Sequence, residues 1–156
     1  MYKIVSKEML TPTICRMKVE ASRLASSAQP GQFLIVRPDE QGERIPLTIS
    51  DYDRNAGTVT IVTQKIGAST AEICAYEEGD HFADVVGPLG IPSDFTEMSA
   101  EDLSGKKYVF IAGGVGTAPV YPQVKWLHER RVSVDVIIGA KTKDLIIYKD
   151  EMAAVC

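Results

Sequence analysis

The chain has 156 residues, enough for one well-cored domain or for a small domain with part of a second. Its 45% apolar content is that of an ordinary globular protein, and a formal charge of -4 with no basic stripe argues against nucleic acid as the main partner. The longest apolar runs, such as VDVIIGA, are too short to cross a bilayer, and MYKIVSKEML lacks the apolar core of a secretory leader, so a cytoplasmic protein without membrane insertion is expected.

From the start to about residue 87 the pattern is mostly of period two, enriched in β-branched residues and punctuated by Pro and Gly. It predicts six strands, at 2–10, 13–21, 32–38, 45–53, 57–66 and 80–87, which suit a closed antiparallel barrel or a sandwich. The fourth is unusual, because RIPLTISDYD reads as a strand carrying Arg44 and Pro46. Proline cannot donate to a ladder, so it belongs at an edge, at a strand start, or where the backbone is left free. Between the fifth and sixth strands, STAEICAYEEGD has a Ser/Thr start and good helix formers up to Gly79, which predicts a helix.

After residue 98 the period changes. KKYVFIAGG and VSVDVIIGA are continuous apolar runs flanking the helical pattern APVYPQVKWLHERR, which makes a βαβ unit with a parallel sheet meant to be covered on both faces. The expected division is therefore 1–98, a six-stranded antiparallel barrel, and 99–156, the first part of an α/β domain, truncated after the helix that opens in YKDEMAAVC. Two strands alone leave a parallel sheet uncovered, so self-association is expected.

Two stretches point to anion chemistry. In FIAGGVGTAPV, Gly113, Gly114 and Gly116 follow a buried strand and open a helix, where free amides and the helix dipole receive phosphate. A tight turn that needs glycine for geometry alone explains the same residues. In KIGAST, Gly67, Ala68, Ser69 and Thr70 stand at the start of the predicted helix, as an anion site or as a plain N-cap. Cys15, Cys74 and Cys156 form no CxxC and read as small buried hydrophobes; His81 and His128 have no ligand-spaced partners. Trp126 reads as helix-face packing, and Glu77 with Glu78 as a solvated helix end.

Taken together, RIPLTISDYD, IGAST, GPLG and AGGVGTAP resemble the ferredoxin–NADP reductase superfamily, in the branch of the dihydroorotate dehydrogenase electron-transfer subunits and the small subunit of NADH-dependent ferredoxin:NADP oxidoreductase, also called sulfide dehydrogenase. The resemblance implies an FAD-binding barrel followed by a pyridine-nucleotide domain. It implies that Arg44 neutralises the FAD diphosphate, that Pro46 and Leu47 lie against the flavin, and that Thr48 offers its hydroxyl near the flavin N5. Gly67, Ala68, Ser69 and Thr70 would cap the diphosphate, while Gly113, Gly114, Gly116 and Thr117 would form the entry loop for NAD(P)H. No catalytic acid, base or metal ligand is implied in this chain. A [2Fe-2S] cluster is expected only in a longer form of the chain, and the implied partner is a larger flavoprotein or iron–sulfur subunit. The competing expectation is a non-catalytic β-barrel interaction module of a larger complex.

Overall fold

The computed structural model describes residues 1–156. Seven antiparallel strands form the first layer: β1 (Tyr2–Thr11), β2 (Ile14–Glu20), β3 (Phe33–Arg37), β4 (Ile45–Asp53), β5 (Thr58–Gln64), β6 (His81–Phe82) and β7 (Asp84–Leu89). Their order is β6-β1-β2-β5-β4-β3-β7. The two edge strands are consecutive in sequence, so one stretch of chain pairs with β1 through Tyr2–Phe82 and with β3 through Arg37–Asp84. Between them the Ala83 N–H donates to the Pro38 carbonyl at 2.9 Å. The single sixth strand expected over 80–87 is thus two strands broken at Ala83, because the chain must cross from one edge of the sheet to the other to close the barrel.

Alternating residues fill the barrel. Ile4, Met17, Val19, Leu34, Val36, Ile49, Val59, Ile61 and Phe82 are buried in one core of 17 residues. Two short helices plug it: α1 (Ser22–Ser27) contributes Leu24 and Ala25, and α2 (Ala68–Ala75) contributes Ile73 and Cys74. The helix expected up to Gly79 stops at Ala75; Tyr76 turns extended, and a turn follows in which the Asp80 carboxylate accepts the Glu77 N–H at 2.7 Å.

The second half holds α3 (Ala100–Ser104), β8 (Tyr108–Gly113), α4 (Thr117–His128), β9 (Val134–Gly139) and α5 (Lys149–Ala153). β8 and β9 pair in parallel and in register from Tyr108–Val134 to Gly113–Gly139, the expected βαβ unit. Only one face of this sheet is covered. Val109, Ile111 and Ile137 on the other are 57%, 77% and 57% exposed, the uncovered sheet expected of two strands alone, since α4 is the single long helix available to pack on it.

A second core joins the halves: Ile14 of β2 and Val62 of β5 pack with Ala118, Val124, Trp126 and Leu127 of α4 and with Ile147, Tyr148 and Met152. Trp126 packs against Phe95 with ring centroids 5.4 Å apart, as a helix-face residue should. Polar contacts cross the same boundary. Lys125 donates to Asp51 at 2.8 Å, Arg16 reaches Glu151, and the Ser50 and Tyr148 hydroxyls share a hydrogen bond of 3.2 Å. Burial opposes the Lys125 charge, but Asp51 outweighs it and holds the ammonium pKa above its ordinary value.

Candidate functional site

The site begins with the way β4 is paired. Residues 45–48 pair with β3, whereas the ladder to β5 starts only at Ile49. Along 45–48 one edge of the strand is therefore open. The Ile49 N–H donates to the Gln32 carbonyl on the β3 side at 3.1 Å, so by alternation Leu47 points its N–H to the same side and Pro46 turns its nitrogen toward the open edge. Proline removes a donor where no ladder bond would have formed, which is why a strand interior tolerates it here.

That open edge walls a groove of about 340 Å³ lined by Ile45, Pro46, Leu47 and Thr48, by Val62, Thr63 and Gln64 opposite them, by Ile66 and Thr70, and by Val115, Gly116, Ala118 and Pro119. Five of the twelve anticipated residues, Pro46, Leu47, Thr48, Thr70 and Gly116, thus meet in one place. Ile66 stands at its rim 81% exposed, an apolar side chain with no covering partner.

Arg44, Gly67, Ala68 and Ser69 flank this groove without lining it. Arg44 precedes β4 and does not sit inside a strand as its sequence context suggested. Its guanidinium is half exposed and donates to Asp84 on β7 at 3.1 Å. The neighbouring Glu43 accepts a hydrogen bond from the Ser69 hydroxyl, which brings the first turn of α2 against the Glu43–Arg44 segment. Within that turn, Thr70 Oγ1 accepts the Ile66 and Gly67 N–H groups, each at 3.0 Å. The first helical bond runs from the Ala71 N–H to the Gly67 carbonyl at 2.9 Å, so Ala68, Ser69 and Thr70 supply first-turn amides ahead of it.

Gly113 and Gly114 line a second cavity of about 500 Å³ at the carboxyl ends of β8 and β9, with Thr11, Thr13, Ile14, Gln64, Val115, Gly139, Ala140, Lys141 and Leu145. Gln64 and Val115 line both spaces, so the groove and the cavity share a wall. Thr117 lines neither. It is fully buried at the start of α4, and its hydroxyl has no hydrogen-bond partner.

The glycines differ in what their own backbone and packing require. Gly114 has φ +55°, a backbone that itself asks for glycine. Gly67 and Gly116 have ordinary φ values of -161° and -64°, and a Cβ built on either meets nothing within 4 Å. At Gly113 an added Cβ would make only an ordinary 3.7 Å contact with the Gly139 carbonyl. At 67 and 116 neither φ nor packing demands glycine, and Gly67 occupies the N-cap of α2, where glycine is a favoured residue.

Several lining residues escaped the sequence reading. Val62, Thr63 and Gln64 sit in an unremarkable strand, and Thr63 carries a buried hydroxyl without a partner. Nothing in a period-two pattern tells which part of β5 has lost its neighbour. Of the cysteines, Cys15 and Cys74 are buried as expected, but Cys156 is exposed in the terminal turn. No group of three or more His, Cys, Asp or Glu side chains is placed to hold a metal ion, and no helix is long and apolar enough to cross a membrane.

No family model matches the chain. It is 36% identical over 149 residues, 96% of its length, to a dihydroorotate dehydrogenase B (NAD+) electron transfer subunit homologue of Thermotoga maritima, of which it covers 50%. A solved structure of an NADH-dependent reduced ferredoxin-NADP oxidoreductase, studied for flavin-based electron bifurcation, superposes with a TM-score of 0.86 at 35% identity, over 97% of this chain and 52% of that one. The chain has the ferredoxin–NADP reductase fold and is homologous to dihydroorotate dehydrogenase electron-transfer subunits. A protein of Clostridium beijerinckii described as uncharacterised is 59% identical over 152 residues, 97% of this chain and 51% of that one. The chain thus spans about half the length of the curated relatives it matches. Both spaces lie where the barrel meets the βαβ unit: β4, β5 and the start of α4 wall the groove, and the β1–β2 turn with the carboxyl ends of β8 and β9 walls the second cavity.

Proposed function

We propose that the protein is an electron-transfer flavoprotein subunit of the cytoplasm, in which residues 1–98 bind FAD and residues 99–156 begin the NAD(P)H-binding part. Electrons pass from NAD(P)H through FAD to an iron–sulfur centre of a larger flavoprotein or iron–sulfur subunit. The observation that carries this reading is the common wall of Gln64 and Val115, because a hydride donor and its acceptor need adjoining sites.

A bound flavin supplies the chemistry, taking two electrons as hydride and releasing them singly. The chain's own residues bind and orient. Pro46 and Leu47 press one side of the ring slot, Thr48 holds its hydroxyl toward it, and Val62, Val115 and Pro119 keep water from it. Arg44 exchanges Asp84 for the diphosphate, a charge-assisted contact that suits its planar fork, while the first-turn amides of Ala68, Ser69 and Thr70 complete the cradle. Gly116 admits the flavin side of the junction, and Gly113 and Gly114 admit the nicotinamide nucleotide. Thr117 sets the start of α4 behind them. None of these tasks requires a side chain to act as acid or base.

The test is direct. Purified protein is heat-treated and the released cofactor chromatographed, then loaded protein is titrated with NADH while the flavin absorbance is followed. FAD is expected, because two diphosphate contacts flank the groove; FMN alone would overturn that assignment. A colourless protein that cannot be loaded with FAD would favour a barrel module with no redox role.

A further inference from the structure

Two thiols that this electron path does not use meet in the barrel core. Cys15 on β2 and Cys74 in the last turn of α2 are 59 residues apart in sequence, yet their sulfurs lie 2.8 Å apart. They are 0% and 2% exposed. Both converge on Thr63 of β5: Cys15 lies opposite it in the ladder, and the Cys74 thiol is directed at its carbonyl oxygen 3.6 Å away. No third metal-ligating side chain joins them.

We propose that Cys15 and Cys74 form a redox-active dithiol that a small-molecule disulfide such as oxidised glutathione converts to an intramolecular disulfide joining β2 to α2.

Access comes through α2. This helix has two turns and buries only Ile73 and Cys74, whereas Ala71, Glu72 and Ala75 face solvent. Lifting it off the barrel uncovers few apolar contacts, which places its opening at the low end of local stability, and the same motion bares both sulfurs. The pair is also electrically unequal. Cys15 donates its S–H to the Cys74 sulfur, which lowers the Cys74 pKa against the opposing effect of burial, and Lys65 and Lys7 add to the lowering. The same contact and burial push Cys15 up. Cys74 moves out with α2 while Cys15 stays in β2, so Cys74 is the thiol that meets the disulfide first and attacks.

The exchange balances without any other reagent. The Cys74 thiolate attacks one sulfur of the small disulfide; that S–S bond breaks, a mixed disulfide forms on Cys74 and one thiolate leaves. Cys15 gives up its proton to solvent and attacks the Cys74 sulfur, and the second thiolate leaves. Two protein thiols lose two electrons, and one disulfide becomes two thiols. The product bonds the helix whose first turn flanks Arg44 to the strand behind Thr63.

The purified protein, kept folded, is incubated with oxidised glutathione, alkylated and mapped by mass spectrometry. A peptide pair linked through Cys15 and Cys74, lost on treatment with dithiothreitol, is expected. In Cys15→Ser, glutathione should accumulate on Cys74; in Cys74→Ser, Cys15 should stay unmodified. Recovery of Cys15 and Cys74 only as alkylated thiols, with glutathione confined to Cys156, would overturn the proposal. The map of the unsubstituted protein decides the matter even where a variant fails to fold.

Discussion

If Gly116 and Gly67 serve the proposed flavin site, their replacement should touch binding more than folding. Because an alanine at either place would meet open space, Gly116→Ala and Gly67→Ala should leave the thermal midpoint nearly unchanged, within about 0.5 kcal/mol of stability. Both should weaken FAD binding, read by titration of the apoprotein. A destabilised fold with unaltered affinity would return these glycines to turn geometry. Arg44→Ala should cost about 1.5–3 kcal/mol of flavin affinity through one lost charge-assisted hydrogen bond, measured by calorimetry; an unchanged affinity would leave Arg44 as a rim residue bound to Asp84. At this scale the motif residues were legible because Pro and Gly break local rules. Val62–Gln64 were not, because their role depends on which strand stops pairing with them.

Among the elements, α5 is tied to the barrel by an ion pair as well as by Met152 in the second core. Arg16 reaches Glu151 from β2, and its ring-face contact with Tyr148 puts the guanidinium carbon 5.2 Å from the ring centroid. Burial acts to raise the Glu151 pKa, but the Arg16 hydrogen bond outweighs it and lowers it. A carboxylate depressed in the folded state stabilises fully above the unfolded glutamate value of about 4.3 and loses that contribution as the pH falls through the folded one. Stability should therefore decline on acidification below about pH 4.3, and Glu151→Gln should flatten part of that decline in melts recorded as a function of pH.

The elements differ in how well their sequence announced them. β8, α4 and β9 were plain, since apolar runs ending in glycine frame a clear helical pattern. α1 escaped notice because its six residues in SRLASS carry too little periodicity, and only Leu24 and Ala25 anchor it. The break at Ala83 was equally silent, as it answers to closure of the sheet and not to a local turn signal. The contact between Cys15 and Cys74 is of the same kind: it exists only once β2 and α2 are folded onto β5.

At the scale of the molecule, the outstanding feature is the bare face of the β8–β9 sheet. Val109, Ile111 and Ile137 form an apolar surface on a two-stranded sheet whose outer edges are unpaired. Prepared as these 156 residues, the chain should associate with a second copy through that face. Sedimentation velocity should show a concentration-dependent dimer or larger species, and Ile111→Lys should restore the monomer. A monomer at all concentrations would mean that the face tolerates water.

β4 has a mechanical role beyond lining the groove. A strand that serves one neighbour up to Thr48 and another from Ile49 onward is a joint, and its ladder shifts register between Ile49 and Asp51. Any widening of the slot must bend β4 there. The residue at the bend, Ser50, is tied to the Thr60 carbonyl and to the Tyr148 hydroxyl, each at 3.2 Å. The stiffness of the slot is thus borrowed from a tyrosine 98 residues further along the chain, and loosening the last helix would soften that wall of the groove.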